Sequence, residues 1–442
     1  MRILLIGNGA REHAIVKALD RSTQDKELYA FMTAKNPGIT RIVSDYIIGD
    51  TCNPGEVAEY ADKKSIELAV IGPEAPLNVG VVDVLEDKGI SCSGPRKIAA
   101  QLETDKTFCR NLLEKYKIKG NPSYGVFSEY EKAAEYIDSI DHEYVIKPAG
   151  LTGGKGVKVS GEHLKDKEEA KAYIREILNA KVGHLAQVVV EEKLVGEEFT
   201  LQGFVDGKRV IGTPTVQDHK RAYEGDTGPN TGGMGSYSNN ERMLPFITKE
   251  DYEQGLKIME DTINAVKKET GTAYKGFLYG QFMATKDDIG VIEFNARLGD
   301  PEAMNILPIL ESDFVDICHG MATGTLEREA KFSNKATVCK YMVPEGYPEK
   351  PKKDLELEVD ENSINKLGGE VYYASVREEN GKILSSKSRA IAVTGIADSI
   401  SEAEKVGENS MQYIKGELFH RKDIGTDVLI QKRIDHMKKL RG

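Results

Sequence analysis

Short apolar runs alternate with helix-length segments over the first hundred residues. The apolar runs predict strands at Arg2–Ile6, 28–33 and Leu68–Ile71. Connections long enough to hold a helix favour right-handed crossovers between parallel strands. The pattern therefore predicts an N-terminal α/β domain over residues 1–102, built on a doubly wound parallel sheet. Ligands of such sheets bind at the carboxyl ends of the strands.

A different pattern begins near Glu103. Asp105 precedes an amphipathic helix, and Ser128 and Glu131 have the spacing of a capping box for a second one. Asp206-Gly207 suits a two-residue type I′ turn between two strands. We also predict helices around 170–177 and at 251–266, a strand that ends at Lys147, and further strands at 157–159, 187–190, 199–205, 209–216, 277–283 and 291–294.

The pattern changes again after about residue 326. Strands are predicted at 337–343, 371–376 and 390–394, and a helix at 401–413. This reads as a small C-terminal α+β domain over 329–442, which leaves 103–328 as the central unit. The fold class is α/β, with α+β character overall. A length of 442 residues agrees with about three domains.

Composition narrows the possible partners. Lys and Arg number 60 against 71 Asp and Glu, a formal net charge of -11. Nucleic-acid binders usually present a basic face, so we expect no nucleic-acid partner, whereas small anionic ligands remain possible. There is no apolar run of about 20 residues, so we expect no membrane span. Five scattered cysteines, none in a C-x-x-C pair, favour reduced thiols and a cytoplasmic protein.

The first predicted strand runs into a glycine turn. Gly7-x-Gly9-x-x-Glu12 departs from the dinucleotide fingerprint, which needs a small sixth residue and an acid after the second strand. A nicotinamide site is therefore disfavoured. Two interpretations remain: an ordinary turn, or a phosphate held at a helix N-terminus with Arg11 and His13 as donors.

A glycine-rich loop follows the strand that ends at Lys147. Four glycines occur in the seven residues 150–156, with Lys147 before them and Lys155 among them, which lets backbone N–H groups approach a ligand closely. The spacing is not that of the Walker loop, because a glycine and a strand follow the second lysine. We interpret the loop as a polyphosphate site; a flexible hairpin is the alternative. The loop residues are Gly150, Gly153, Gly154, Lys155 and Gly156.

Oxygen ligands converge at the end of the strand at 291–294. Glu293 and Asn295 are two residues apart and so face the same side of a strand. A carboxylate and an amide oxygen suit Mg²⁺ shared with a phosphate chain. Gln281, on the preceding strand, offers a further oxygen, although a simple sheet-face role is as good an interpretation. For the pair, two solvated strand residues are the alternative.

The segment 217–235 carries many polar residues and almost no apolar ones. We predict a long functional surface loop, because such loops are usually functional or disordered. Its donors and acceptors favour small polar substrates, and His219 is the histidine on which we place most weight. No Ser or Cys nucleophile elbow and no His/Cys metal cluster is present in the sequence. A polyphosphate loop with a cation pair then indicates direct phosphoryl transfer.

At these motifs the sequence resembles the phosphoribosylamine–glycine ligases, also called glycinamide ribonucleotide synthetases, of the ATP-grasp superfamily. The resemblance spans nearly the whole chain in the family's order. The matching stretches are IGNGAREH at 6–13, VIGPEAPL at 70–77, GLTGGKGV at 150–157, QDHKRAYEGDTGPNTGGMG at 217–235, IEFNARLGDPE at 292–302 and HRKDIG at 420–425.

The resemblance implies an ATP-grasp core of two subdomains over 103–328, with a lid at about 124–196. It also implies the reaction: ATP, glycine and 5-phosphoribosylamine give glycinamide ribonucleotide, ADP and phosphate in purine synthesis, with Mg²⁺ or Mn²⁺ as the cation. Glycine's carboxylate would first become an acyl phosphate. Oligomeric state does not follow from it.

Residue roles are carried across by position. ATP would contact Lys106, Lys147, Gly150, Gly153, Gly154, Lys155, Gly156, Glu191, Glu192, Leu194 and Glu198, and the cation Glu293, Asn295 and possible ligand Gln281. Asp218, Lys220 and Arg297 would take part in catalysis. The substrates would contact Asn8, Gly9, Arg11, Glu12, His13, Gly72, Pro73, Glu74, Pro76, Asp218, His219, Lys220, Arg221, Asp226, Thr227, Gly228, Asn230, Thr231, Gly232, Gly233, Met234, Gly235, Arg297, Gly299, Asp300 and Glu302.

One departure from the family pattern lies at the base of the loop. Pro148-Ala149 stand where family members commonly have Ala-Asp, so a carboxylate and one N–H are missing. Three other functions remain open: an ATP-grasp ligase for a different acid, a nicotinamide-dependent oxidoreductase, and a non-catalytic nucleotide sensor.

Overall fold

The N-terminal residues form the expected parallel sheet in this computed structural model, which describes residues 1–151, 156–182 and 185–442. The strand order is β3-β2-β1-β4-β5. The elements are β1 Arg2–Ile6, α1 Ala10–Asp20, β2 Glu27–Met32, α2 Pro37–Thr40, β3 Asp45–Ile48, α3 Pro54–Lys64, β4 Leu68–Ile71, α4 Glu74–Val79, α5 Val81–Asp87, β5 Ser91–Ser93 and α6 Lys97–Thr104. The sequence did not predict β3, because its side chains are half-buried or exposed and form no continuous apolar run.

A smaller antiparallel sheet follows, which we call the lid sheet, with strand order β6-β9-β7-β8. Its elements and the helix before them are α7 Lys106–Lys115, β6 Tyr124–Phe127, α8 Tyr130–Ser139, β7 Tyr144–Pro148, β8 Lys158–Val159, α9 Lys167–Ala180 and β9 Val188–Glu192. α7 begins where the sequence predicts a helix, and Asp105 caps it by accepting the N–H groups of Thr107 and Phe108. The capping box at Ser128 is wrong: α8 starts one residue later, after Glu129, without a side-chain cap.

The large sheet runs β17-β16-β10-β12-β15-β18-β23-β20. Its central elements are β10 Glu197–Asp206, β11 Val210–Gly212, β12 Val216–Asp218, β13 Arg221–Tyr223, β14 Thr227–Asn230, β15 Gly235–Ser238, α10 Lys249–Thr270, β16 Lys275–Ala284, β17 Ile289–Asn295, α11 Ala303–Ile306 and α12 Phe314–Thr323. The C-terminal elements are β18 Ala336–Pro344, β19 Glu356–Val359, α13 Glu361–Lys366, β20 Gly369–Tyr373, β21 Val376–Glu379, β22 Lys382–Ser385, β23 Ile391–Ala397, α14 Ile400–Ser410, β24 Ile414–Lys415, β25 Leu418–Phe419 and α15 Asp427–Arg441.

The C-terminal residues therefore extend the large sheet. β18 pairs with β15 in antiparallel register, Gly235 opposite Lys340, and a separate small sheet forms from β21-β22-β19-β24. The mixed α/β class is confirmed, whereas the limits at 102/103 and 328/329 stay a prediction.

Two local predictions in this region are wrong. Val205 pairs with Val210, so the turn contains the four residues 206–209. Only Gly207 of these has a positive φ, +85°, whereas a type I′ turn needs two such residues. The Asp206 carboxylate accepts the N–H groups of residues 208 and 209 and closes the longer turn.

The segment 217–235 is not a plain surface loop either. It contains the end of β12, the hairpin β13–β14 and the start of β15. Gln217, His219 and Met234 are buried inside it, so the core does require part of this segment. The sequence did not predict β13, β14 and β15, because their polar side chains and glycines give no alternating apolar pattern.

Packing separates the lid from the rest. One core cluster joins the N-terminal sheet, the large sheet and much of the C-terminal region. The lid has its own cluster, built from α8, α9 and the inner face of its sheet. In the described ranges no helix combines the length and apolarity needed to cross a bilayer.

We predict that Gly276→Ala destabilises the junction between β5 and the large sheet. Gly276 has φ +105°, and a Cβ there would lie 2.6 Å from the Cα of Gly94. Gly271→Ala is the matched control, since its φ is +75° but open space surrounds it. We expect the control to lose about 1 kcal/mol and Gly276→Ala to lose roughly 1–3 kcal/mol more. Denaturant titration measures both; equal losses would contradict the packing argument.

Candidate active site

A cleft of about 1200 Å³ lies between the lid sheet and the large sheet. It unites residues from the N-terminal, lid, central and C-terminal elements. The predicted residues that line it are Arg11, Pro73, Glu74, Lys106, Lys147, Glu191, Glu192, Leu194, Glu198, Asp218, His219, Lys220, Arg221, Asp226, Asn230, Thr231, Gly232, Glu293, Asn295, Arg297, Asp300 and Glu302.

Other predicted residues do not line this cleft. They are Asn8, Gly9, Glu12, His13, Gly72, Pro76, Gly150, Gly156, Thr227, Gly228, Gly233, Met234, Gly235, Gln281 and Gly299. Gly153, Gly154 and Lys155 lie outside the described residues.

A buried ion triad joins the lid to β17. The carboxylate of Glu191, near the end of β9, accepts two hydrogen bonds of 2.8 Å from the Arg110 guanidinium. It also lies 2.6 Å from Lys147 Nζ. Arg110 and Lys147 both also donate to the carbonyl of Ile292. Burial alone would raise the pKa of Glu191, but the two cations outweigh it and lower that pKa to about 2. The resemblance implied an ATP contact for Glu191; here both oxygens of its carboxylate are paired with protein cations.

The candidate cation ligands lie next to this triad. Asn295 Nδ2 is 3.5 Å from Glu293 Oε1, and Gln281 sits opposite Glu293 across the β16–β17 pair. Gln281 donates its amide to Glu198, and its own Oε1 is buried without a partner among the described residues. Burial would raise the pKa of Glu293, but Lys220, Lys147 and Lys106 lower it. An orphaned oxygen beside an ionised carboxylate fits a divalent cation.

Lys106 reaches the cleft from the start of α7. Its Nζ donates to the carbonyl of Gly150, 3.0 Å away, at the entrance of the glycine-rich loop. Burial lowers the pKa of Lys106. Together with Lys147 and Lys220 it provides a cluster of positive charge around Glu293.

Asp226 anchors the β13–β14 hairpin at the cleft. Its carboxylate binds Arg421 Nη2 at 2.9 Å and pairs with Arg433 of α15. His219 Nδ1 lies 3.4 Å from the same carboxylate. Burial would raise the pKa of Asp226, but these three groups lower it. The HRKDIG motif thus acts through Arg421, which fixes a loop of the cleft from the C-terminal side.

Arg297 is held by carboxylates on the N-terminal side. It lies 3.1 Å from Glu103 and 3.4 Å from Glu74. Burial raises the pKa of Glu103 to about 7, even though Arg297 opposes the shift. Arg11 pairs with Glu12 at 2.7 Å and lines the same wall.

Glu12 and His13, which follow the first glycine turn, form hydrogen bonds with the protein itself. The Glu12 carboxylate accepts the N–H of Gly9, the N-cap residue of α1. His13 Nδ1 accepts the N–H of Tyr373, and its ring is buried against Tyr372 and Tyr373. Burial lowers the pKa of His13 well below its usual value. This neutral, enclosed ring argues against the predicted phosphate contact by His13.

Sequence reasoning missed several lining residues. Arg389 donates to the carbonyls of Gly232, Gly233 and Asp300 from just before β23. Glu103 and Arg110 also line the cleft, and no sequence motif marks any of these three residues. The α15 helix adds a polar rim, and its lining residues are Lys432, Arg433, Asp435, His436 and Lys439.

Comparisons with known proteins cover the whole chain. Family models for the N, ATP-grasp and C domains of phosphoribosylglycinamide synthetase match residues 1–103, 104–303 and 337–427. Phosphoribosylamine–glycine ligases of Methanocaldococcus jannaschii and Methanosarcina barkeri are 53% and 52% identical, over 100% of both chains in each case. The crystal structure of phosphoribosylamine–glycine ligase from Thermotoga maritima superposes with a TM-score of 0.82 at 28% identity, covering 96% of this chain and 100% of that one.

We predict an acid-dependent contribution of Glu191 to stability. The folded-state pKa of Glu191 is about 2, below its ordinary value of 4.5. Its contribution to stability is therefore complete above pH 4.5 and is lost as the pH falls through about 2. Glu191→Gln should lose about 3–5 kcal/mol at neutral pH. The difference from wild type should shrink as the pH is lowered.

Urea titrations at a series of pH values measure this difference. Glu192→Gln is the control. The Glu192 carboxylate is next to Glu191 in the chain but is exposed, so this substitution should have a small effect on stability at every pH. A difference for Glu191→Gln that stays constant across the acid range would contradict the ion triad.

Proposed function

The chain belongs to the phosphoribosylglycinamide synthetase family, and on this premise we propose that it ligates glycine to 5-phosphoribosylamine at the expense of ATP. The products are glycinamide ribonucleotide, ADP and phosphate, a step of purine biosynthesis. One observation carries the proposal: the cleft gathers residues from nearly every motif on which the resemblance rests, and the relatives named phosphoribosylamine–glycine ligase match the chain over its full length.

The ATP phosphates are proposed to lie among Lys106, Lys147 and Lys220. All three line the cleft beside Glu293. Charge neutralisation and positioning are the main demands of phosphoryl transfer, since no protein nucleophile is needed. Pro148 removes one N–H but leaves both the lysine and the strand in place.

Glu293, Asn295 and Gln281 would hold a divalent cation, Mg²⁺ or Mn²⁺. When bound there, such a cation neutralises charge on the phosphate oxygens. The protein's own contribution is to keep Glu293 ionised, which the three surrounding lysines do despite its burial. Lys147 also fixes the strand end through the carbonyl of Ile292.

The reaction is proposed in two steps. A carboxylate oxygen of glycine attacks the γ-phosphorus, and the bond to the ADP oxygen breaks, which gives glycyl phosphate. The amine of phosphoribosylamine then attacks the glycyl carbonyl, the carbon–oxygen bond to phosphate breaks, and the amine loses a proton. Phosphate leaves with an oxygen that came from glycine.

The second substrate is proposed to lie on the N-terminal side. Arg11, Pro73 and Glu74 line that wall, and Arg297 stands between them and Glu293. Arg297 is held by Glu103 and Glu74, so its planar guanidinium is fixed in orientation before a substrate arrives. A fixed cation at this place suits the phosphate transferred between the two steps.

We predict that phosphate released by the enzyme carries oxygen from glycine. Glycine labelled with ¹⁸O in its carboxylate should transfer one labelled oxygen per turnover to inorganic phosphate, measured by mass spectrometry. Reactions that lack phosphoribosylamine or glycine are the controls. Label that remains wholly in the amide product and glycine would exclude the acyl phosphate.

We also predict that Glu293→Gln raises the Mg²⁺ concentration needed for half-maximal activity by about tenfold or more, because one anionic ligand is lost. Glu311→Gln is the control, since that carboxylate is exposed and outside the cleft. ADP release at a series of Mg²⁺ concentrations measures the effect. An unchanged Mg²⁺ requirement would remove Glu293 from the cation site.

A further inference from the structure

Lys340 of β18 is a buried lysine that does not belong to the cleft lining of the described residues. It is 0% exposed. Its ammonium donates to Glu404 Oε1 at 2.6 Å and to Glu408 Oε2 at 2.7 Å, both on α14. A third bond, of 2.9 Å, reaches the carbonyl of Lys422. Because an ammonium has three N–H groups, this lysine is satisfied by the protein itself and holds its partners in place.

His420 belongs to the same cluster. Its Nε2 lies 3.1 Å from Glu408 Oε2, the oxygen that also binds Lys340. Burial would raise the pKa of Glu408, but hydrogen bonds from His420 and Lys340 lower it to about 2. A buried ion cluster is often no more stabilising than apolar side chains of similar volume, so stability alone does not account for it. The cluster does fix the chain at residues 420 and 422, on both sides of Arg421.

Arg421 connects this fixed loop, residues 420–423, with the β13–β14 hairpin. Its Nη1 donates to the carbonyl of Arg221 at 3.0 Å, and its Nη2 binds Asp226 at 2.9 Å. Asp423 accepts a backbone N–H of the hairpin turn at 2.9 Å. The 420–423 loop and the hairpin are therefore joined at several points, so a shift of the loop would move the hairpin with it.

The hairpin in turn sets the position of Lys220, which directly precedes β13. Thr231, just after β14, donates both its N–H and its hydroxyl to the Lys220 carbonyl, at 2.7 and 2.8 Å. The Lys220 side chain lines the cleft and is one of the lysines proposed to surround the ATP phosphates. Its placement matters for the rate, since a displacement of about 1 Å in an active site can cost roughly a hundredfold.

We propose that Lys340 is a positioning residue for the ligase reaction. Together with two carboxylates of α14 it holds the 420–423 loop, Arg421 transmits that position to the hairpin, and the hairpin places Lys220. The inference rests on the proposed function and extends it to side chains that are enclosed by protein. It gives α14 a part in the reaction, although the helix contributes no residue to the described cleft lining.

The test replaces Lys340 with methionine, which removes the charge and keeps most of the side-chain length. We expect kcat, per folded protein measured by circular dichroism, to fall about 10- to 100-fold, because Lys220 is displaced. The KM for ATP should change by less than about threefold, since Lys106 and Lys147 belong to other elements.

Val371→Ala is the matched control. It truncates a buried side chain of β20, which β23 separates from β18, so it lowers stability in the same sheet without changing the ion cluster. Its kcat per folded protein should stay within about twofold of wild type.

A double-mutant cycle separates positioning from a general loss of structure. If Lys340 acts through Arg421, then Lys340→Met should lower kcat by less than about threefold in a protein that already carries Arg421→Lys. Three results would overturn the inference: an unchanged kcat in Lys340→Met, an equal fall in Val371→Ala, or effects of the two substitutions that simply multiply.

If Lys340→Met does not fold, Glu408→Gln is measured in the same cycle, with the same expected and contradicting results. A wild-type protein that releases no ADP with glycine and phosphoribosylamine would instead reject the proposed function. An active wild type with an unaffected variant rejects only the role of Lys340, so the two failures are distinguishable.

Discussion

The buried contact of Arg110, Lys147 and Glu191 sets the geometry of the cleft. It joins the end of a lid strand to the backbone of β17, one residue before Glu293. Removing either sign of charge would leave the other buried and uncompensated, which costs about 3–5 kcal/mol. The lid has its own core, so this polar junction, more than shared apolar packing, fixes the base of the lid over the candidate phosphate site.

The charged side chains around the cleft are of two kinds: some have strong ion-pair partners within the protein, and others are open, with weak partners or none among the described residues. Glu191, Asp226 and Asp300 each have arginine partners and serve to position backbone. Lys106 and Lys220 have weaker partners, and the buried Oδ1 of Asp218 has none among the described residues. Since unbalanced buried charge is unstable, the open groups are those that substrates of complementary charge can stabilise. Phosphates and an amino acid together provide both signs.

The C-terminal region completes the cleft instead of lying apart from it. β18 extends the large sheet, Arg389 holds the backbone at Gly232 and Gly233, and Arg421 fixes Asp226. These arginines contact carbonyls and carboxylates about 90 to 200 residues earlier in the chain. Binding residues and the residues that orient them therefore come from opposite ends of the sequence, which links formation of the site to folding of the whole chain.

Local pattern and motif were enough for the parallel N-terminal sheet, for about half of the described strands, and for placing Glu293, Asn295 and Lys147 in one cleft. These features follow from periodicity two or 3.6 and from glycines beside strand ends, which are properties of neighbouring residues. The polar strands in 217–235, the burial of His13, and the roles of Glu103, Arg110 and Arg389 did not follow. Each depends on which distant side chain becomes a partner when the core closes, and burial then decides whether a charged group binds protein or stays open for substrate.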